Sequence, residues 1–305
     1  MALRATLLGL AMLATGAAAP RAAPSRPAIT GISHLAVYTS DQAVSAHFYT
    51  VDLGARRGAD PEDAAGARYY FGPTQFVEVL PLPAGSGADR LAHIAWQTSD
   101  VVAMRAYLLA HGVTPVSAVE SGDGSRWITT HDPEGNEVQF VQTTTPAAAV
   151  PGAISDHIIH AGYLVHNRAA EDRFYRDVLG FRPYWYGAMK PGKVDWVSQQ
   201  VPDGNDWLEY MLVGPGSTTP LDHVDHNELG VLDHVSLGVT NMEATVTRLI
   251  AGDHLSPRHD GPQMGRDGKW QANLYDPDGT RIELMEFQPV TKPCCSAFTA
   301  DSPTH

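Results

Sequence analysis

The stretch LYDPDGTRIELMEF, Leu274 to Phe287, reads as a tight turn followed by an alternating strand. Asp-Pro-Asp-Gly supplies the turn chemistry, and the period of two puts Glu283 and Met285 on one face. The phrase THDPEGNEVQFVQ, Thr130 to Gln142, says nearly the same thing half a chain earlier, with Gln139 in the place of Glu283. An amide can ligate a metal, but it brings no charge and cannot act as a base at neutral pH.

The repetition extends further. Ile32 to Arg57 aligns without gaps with Ile158 to Pro183, matching His34 with His160, Phe48-Tyr49 with Phe174-Tyr175, and Leu53-Gly54 with Leu179-Gly180. Each copy reads as a short strand, a turn, an amphipathic helix and a stop at glycine. A second pair begins at Leu91 and Leu232, again with an early histidine, His93 and His234. Four modules therefore start near residues 31, 91, 157 and 231. The last strand of each carries an acid or amide: Glu78, Gln139, Glu209 and Glu283. The separations from early His to late residue are 44, 46, 49 and 49, too regular for accident. Thr143 to Ala153, TTTPAAAVPGA, reads as the linker between two pairs of modules. Gly214 to Gly230 reads as a long polar connection of the kind that forms lids and binding loops.

Modules of strand, helix and three strands, with His on the first strand and Glu on the last, resemble the vicinal oxygen chelate superfamily. That group includes glyoxalase I, extradiol dioxygenases, fosfomycin-resistance enzymes, epimerases and metal-free binding proteins. The resemblance covers roughly residues 30 to 288. It implies an α+β fold of four βαβββ modules, paired into two cup-shaped mixed sheets. The expected organisation is a signal peptide at 1–23, an N-terminal glyoxalase-like domain at 30–143, a C-terminal one with the metal site at 154–289, and a tail at 290–305.

Composition narrows the classes. The formal charge of −13, with no basic run, argues against nucleic acid. The first residues place one arginine before a short apolar run and then A-x-A-like small residues, the layout of a secretory signal peptide. The expected protein is exported, periplasmic or extracellular, and free of the membrane after cleavage, which is read between roughly Ala18 and Ala23. Cys294 and Cys295 are adjacent, so they form no disulfide framework, and they read as a tail feature outside the chemistry.

Strand parity puts His160, Glu209, His234 and Glu283 on faces that can converge within the second cup. Two imidazoles and two carboxylates suit one divalent transition metal, Fe, Mn, Zn, Ni or Co, with positions open to a small chelating substrate. His34, Glu78, His93 and Gln139 form a weaker second site, one charge short, read as decayed or non-catalytic. The resemblance implies an isomerase, epimerase or lyase that takes a proton next to a carbonyl, with Glu283 as the first choice of base and Glu209 as the second. One alternative is an Fe(II) extradiol-type ring-cleaving dioxygenase using His160, His234 and Glu283. That family pattern places a tyrosine four residues before the turn proline, where this chain has Asn273, and a histidine upstream, where GRDGKWQAN has none. A second alternative is a non-catalytic small-molecule binding protein. In PYWYG, Pro183 to Gly187, alternation puts Tyr184 and Tyr186 on one face and Trp185 on the other, as ordinary strand packing. Asn205, His223, His226 and Lys269 read as solvated loop residues, with substrate contact as their other use.

Overall fold

The computed structural model describes residues 24–220 and 232–304. The first module runs β1 (Ile29–Thr39), α1 (Gln42–His47), β2 (Arg56–Ala59), β3 (Ala67–Tyr70) and β4 (Phe76–Pro81). The second runs β5 (Leu91–Thr98), α2 (Val101–Ala110), β6 (Glu120–Gly122), β7 (Ser125–His131) and β8 (Glu137–Thr143). The third contains β9 (Ile158–Val165), α3 (Arg168–Asp172), β10 (Arg182–Gly187), β11 (Trp196–Gln200) and β12 (Trp207–Leu212). The fourth contains β13 (Leu232–Val239), α4 (Met242–Gly252), β14 (His259–Met264), β15 (Trp270–Tyr275) and β16 (Arg281–Glu286).

Each helix starts where a short polar side chain can satisfy its free N–H groups. Asp41, Asp100, Asn167 and Asn241 all accept backbone N–H bonds from the first turn. The helices of modules one and three pass into a π-helical turn that buries Phe48-Tyr49 and Phe174-Tyr175. Gly54 and Gly180, at φ 73° and 80°, then end the helical segment in a conformation that disfavours other residues.

Two eight-stranded mixed sheets result, ordered β2-β3-β4-β1-β5-β8-β7-β6 and β10-β11-β12-β9-β13-β16-β15-β14. In each, the two first strands pair antiparallel at the centre, and each is flanked by its own module's last strand running parallel. All the histidine-bearing and acid-bearing strands are therefore central neighbours, which brings the four late and early residues of each pair into one concavity.

The two halves share one apolar core, in which Trp96 packs edge-on against Tyr175 and Phe181. Polar contacts set their register. Gln75 exchanges two hydrogen bonds with the backbone of Ile158, at 2.8 and 2.9 Å, and Asp206 accepts the Ile32 N–H at 2.9 Å. The Asp-Pro-Asp-Gly turn contributes as well. Asp276 folds the turn by accepting from Asp278 and Thr280, then accepts the Tyr49 hydroxyl, while Asp278 accepts the Thr39 hydroxyl at 2.6 Å. Its counterpart in module two uses Glu134, which accepts the His166 and Asn167 N–H groups.

Candidate metal centre

The second cup gathers its four expected side chains around one point. Nε2 of His160 lies 2.7 Å from Nε2 of His234 and 3.2 Å from a Glu283 oxygen. Glu209 Oε2 stands 3.7 Å from His234 and 3.9 Å from His160. Ligands bound at about 2.0–2.2 Å to a single ion sit roughly 3 Å apart, so the carboxylate spacings suit a bound transition metal and the two histidine nitrogens, at 2.7 Å, stand slightly inside that separation. His160, His234 and Glu283 form the tight set, with their donor atoms all within 4.8 Å of one another. Glu209 is as near to His234 as Glu283 is, at 3.7 Å, but 0.7 Å farther from His160, at 3.9 Å against 3.2 Å. The Glu283 Oε2 atom is buried with the two histidine nitrogens beside it, at 3.2 and 3.7 Å, and a cation would offset the cost of that burial.

Each ligand is oriented by its own neighbour. Asp233 lies 2.7 Å from Nδ1 of His234, which places the ring proton there and turns the Nε2 lone pair into the cup. Arg281 pairs in turn with Asp233. His160 is positioned by stacking, its ring 4.3 Å from that of Trp207 and nearly parallel. Ser198 donates to Glu209 at 3.1 Å. Gly162 leaves room for the assembly, because a Cβ there would come within 2.2 Å of the His234 ring.

Electrostatics divide the two carboxylates. Burial pushes Glu209 up to about 7. Burial also acts to raise Glu283, but the charge of His234, the hydrogen bond from His160 and the Arg281 guanidinium outweigh it and hold the carboxyl at about 2. Burial drives His160 down to about 4, keeping the imidazole neutral and available as a ligand.

A cavity of about 460 Å³ opens over the cup, bounded by Glu209, Glu283, Tyr184, Trp185, Trp196 and Met211 among others. That volume suits a small organic ligand. The Tyr184/Trp185 wall departs from the expected alternation. A bulge shifts the β10–β11 register between Pro183 and Trp185, so both Tyr184 and Trp185 are buried against the cavity while Tyr186 is exposed.

The first cup repeats the geometry with different chemistry. His34 and His93 approach at 2.9 Å between Nε2 atoms, and Glu78 Oε2 lies 3.5 Å from His93. Arg68 donates to Glu78 at 3.0 Å and to Glu62 at 2.7 Å, and Glu62 also accepts from Gln139. Arg68 faces Glu78 across the strands as Ser198 faces Glu209, so a guanidinium stands where the second cup has a hydroxyl. A fixed positive charge this close opposes a divalent ion by on the order of 5 kcal/mol at an effective dielectric near 20. Ala36, Ala92 and Glu137 likewise replace Gly162, Asp233 and Arg281. Gln139 is thus one departure among several.

The profile of the Glyoxalase/Bleomycin resistance protein/Dioxygenase superfamily matches residues 31–140 and again 157–284. The chain belongs to this superfamily. Solved structures of similar fold include homoprotocatechuate 2,3-dioxygenase from Brevibacterium fuscum in its anaerobic complex with 3,4-dihydroxyphenylacetate. It is 18% identical with a TM-score of 0.64, covering 92% of this chain and 85% of that one. The Arthrobacter globiformis enzyme of that name is 16% identical with a TM-score of 0.66, covering 92% and 84%. The 2,3-dioxygenase LapB from Pseudomonas sp. KL28 is 16% identical with a TM-score of 0.64, covering 88% and 99%. At these identities the likeness is one of fold. No curated protein matches the chain.

Within this superfamily frame the remaining residues fall as follows. Asn273 pairs directly with Glu283 across β15 and β16 and lines the cavity. Asn205 lies away from the cup, in a groove between the halves beside His157 and Asp206. His223, His226 and the leader at 1–23 lie outside the described residues. Cys294 and Cys295 are joined as a vicinal disulfide in a tail that lies along β10, and Phe298 of that tail lines the cavity. Lys269 is not solvated: it is completely buried among aromatic rings beside the cup. Sequence reasoning missed Arg68, Ser198, Asp233 and Trp207. Only the two-residue offset of Trp207 from Glu209 hints at a ring packed on His160, and the others carry no motif.

Proposed function

We propose that the second cup is the active site of a metal-dependent enzyme acting on a small substrate with two neighbouring oxygens, by proton transfer next to a carbonyl, as an isomerase, epimerase or lyase does. The observation that carries this is the convergence of two imidazoles and two carboxylates on one point, with Glu283 nearer to His160 and the Ser198-bonded Glu209 slightly farther out. A divalent transition ion on the tight set would supply Lewis-acid stabilisation of the developing oxyanion.

The chain's own groups do the rest. Glu209 accepts the proton, in place of Glu283, because it is the farther of the two from His160 and is raised to about 7, near the optimum for a base at neutral pH. Glu283, held at about 2, is a poor base and serves as a ligand. Ser198 fixes the rotamer of Glu209, and Trp185, Trp196 and Met211 give the substrate face an apolar wall.

A ring-cleaving dioxygenase is the second reading. It is favoured by the tight set itself, since two histidines and one carboxylate are the ligands that open-sited ferrous oxygenases use. Against it stands Asn273, which offers no acid–base group. Elemental analysis of anaerobically isolated protein, followed by two assays, tests the readings. Solvent deuterium entering a carbon next to a carbonyl supports proton transfer, and oxygen uptake with catechols under ferrous iron replaces it with ring cleavage. Protein purified with no transition metal, and unable to take one up, leaves only a binding function. Export, read from residues 1–23, is part of the proposal and is tested by fractionating the expressing cell.

A further inference from the structure

The C-terminal tail runs along β10, the edge strand of the second sheet, and gives that edge hydrogen-bond partners the sheet does not supply. Ser296 Oγ accepts the Tyr186 N–H at 3.0 Å, and the Thr299 N–H donates to the Tyr184 carbonyl at 3.0 Å. Phe298 packs 4.8 Å from the Tyr184 ring and lines the cavity over the second cup. Cys294 stands where this strap begins. Its N–H donates to the Arg266 carbonyl at 2.7 Å, and its own carbonyl accepts the Trp185 indole N–H at 3.1 Å. Trp185 and Arg266 both line the cavity. Cys294 thus ties two walls of the cup to the strap.

Stability does not explain the bond between Cys294 and Cys295. A disulfide stabilises chiefly by closing a loop in the unfolded chain, and adjacent residues enclose no loop. Its effect is on the local backbone. Cys295 lies at φ 74°, in the left-handed region that a residue with a Cβ seldom adopts. The small ring formed with Cys294 confines it there. Once that ring opens, Cys295 can return to the commoner regions, which redirects the chain entering Ser296.

The sulfurs are also placed for exchange. Cys295 is exposed and Cys294 half-buried, and the Arg266 guanidinium lies 3.3 Å from Cys294 Sγ. Attack on the exposed Cys295 Sγ expels Cys294 as a thiolate beside that fixed cation. A thiolate so stabilised leaves faster.

We propose that Cys294–Cys295 is a redox modification site cleaved by a dithiol, and that its cleavage releases the strap from the second cup. One thiolate of the dithiol bonds to Cys295 Sγ as the S–S bond breaks, its electron pair going to Cys294. The second thiolate of the dithiol then displaces Cys295 from the mixed disulfide. Two protein thiols result, carrying the two protons of the dithiol, which ends as its own disulfide. In the oxidised protein the strap holds Trp185, Arg266 and Phe298 against the cavity, and in the reduced protein the cavity opens along β10. Nothing in this step depends on which reaction the cup performs.

Alkylation and hydrogen exchange on the full chain test both parts. These are the chain's two cysteines, so dithiothreitol acts on this bond alone. Iodoacetamide should modify neither cysteine before dithiothreitol and both after it, read by mass spectrometry. The amides of Tyr186 and Thr299 should then exchange at least tenfold faster in the reduced protein. Cys294→Ser combined with Cys295→Ser should exchange at the fast rate with or without dithiothreitol. If thermal melting shows that variant unfolded, Cys294→Ser with Cys295→Gly replaces it, since glycine tolerates the left-handed residue. Its exchange should be indifferent to dithiothreitol. Alkylation of both cysteines without a reductant, or exchange at Tyr186 and Thr299 unmoved by reduction, overturns the proposal.

Discussion

The Nε2 atoms of His160 and His234 face one another at 2.7 Å, with a Glu283 oxygen 3.2 Å from the first and 3.7 Å from the second. Nitrogens this close need either a proton shared between them or a cation that takes both lone pairs, and the adjoining carboxylates favour the cation. Removing the ion should therefore destabilise the protein. At a metal concentration about 100 times Kd the bound ion contributes roughly 2.7 kcal/mol. Addition of a chelator should lower the melting temperature of the wild type by several degrees and leave His160→Ala unaffected. A melting temperature indifferent to chelation in both proteins would remove the metal from the account.

Glu209 and Glu283 should part company on substitution. Glu283→Gln takes a charged ligand from the tight set and should bring metal content well below one ion per chain. Glu209→Gln should keep the ion and lower turnover by about 10²- to 10⁴-fold, the usual scale for a lost general base. Elemental analysis beside the assay reads both, and equal metal loss in the two variants would place Glu209 among the ligands.

Gly162→Ala is the most local test of the second cup. The new methyl would meet His234 at 2.2 Å from Cε1 and 2.4 Å from Nδ1. The ring must swing away from Asp233, at an overpacking cost of about 1–3 kcal/mol. Metal affinity should fall at least tenfold, as expected when a ligand loses its orienting partner. Unaltered affinity would show that the central strand yields more easily than its pairing on both sides suggests.

Arg68 and Gln139 together set the first cup apart. Arg68→Ser combined with Gln139→Glu removes the fixed cation and restores the carboxylate, recreating the ligand set of the second cup. Metal stoichiometry should rise from one to about two ions per chain, measured by elemental analysis after dialysis. Gln139→Glu alone should do less, because Arg68 still neutralises Glu78. If the single variant gains the full second ion, the charge argument for Arg68 is wrong.

Between the halves, His157 lies 2.7 Å from Asp206. Burial acts to lower the imidazole, but the hydrogen bond and charge of Asp206 outweigh it and raise the group above its ordinary 6.5. A raised folded-state value means stability that is fully present below about pH 6.5 and lost as pH rises through the folded value. Asp206→Asn, with an expected cost of about 1–3 kcal/mol, should destabilise more at pH 6 than at pH 8. Melting temperatures across that range check the sign, and a larger effect at pH 8 would refute it.

Much of this architecture is readable from residue order alone. The repeated His and the late Glu or Gln, with their near-equal spacing, mark four modules because each module must present one side chain on a first strand and one on a last strand. Asp41, Asp100, Asn167 and Asn241 mark the helix starts for an equally local reason. Two expectations failed locally. Tyr184 and Trp185 face the same cavity because a bulge, set by strand pairing, broke the alternation. Lys269 proved buried because its surroundings come from β10, β12 and the tail, none of them near it in sequence.

Sequence by itself determined the module count, the ligand types and the charge difference between the cups, since these depend on short-range pattern and side-chain chemistry. Only the tertiary structure decided which cation each cup contains and whether it is satisfied. Arg68 meets Glu78 across one strand pair, whereas Lys269 is carried to the ring beneath His160 without an acceptor. Such pairings arise where strands from distant segments meet, and the cost of a buried charge depends on neighbours that only the fold supplies.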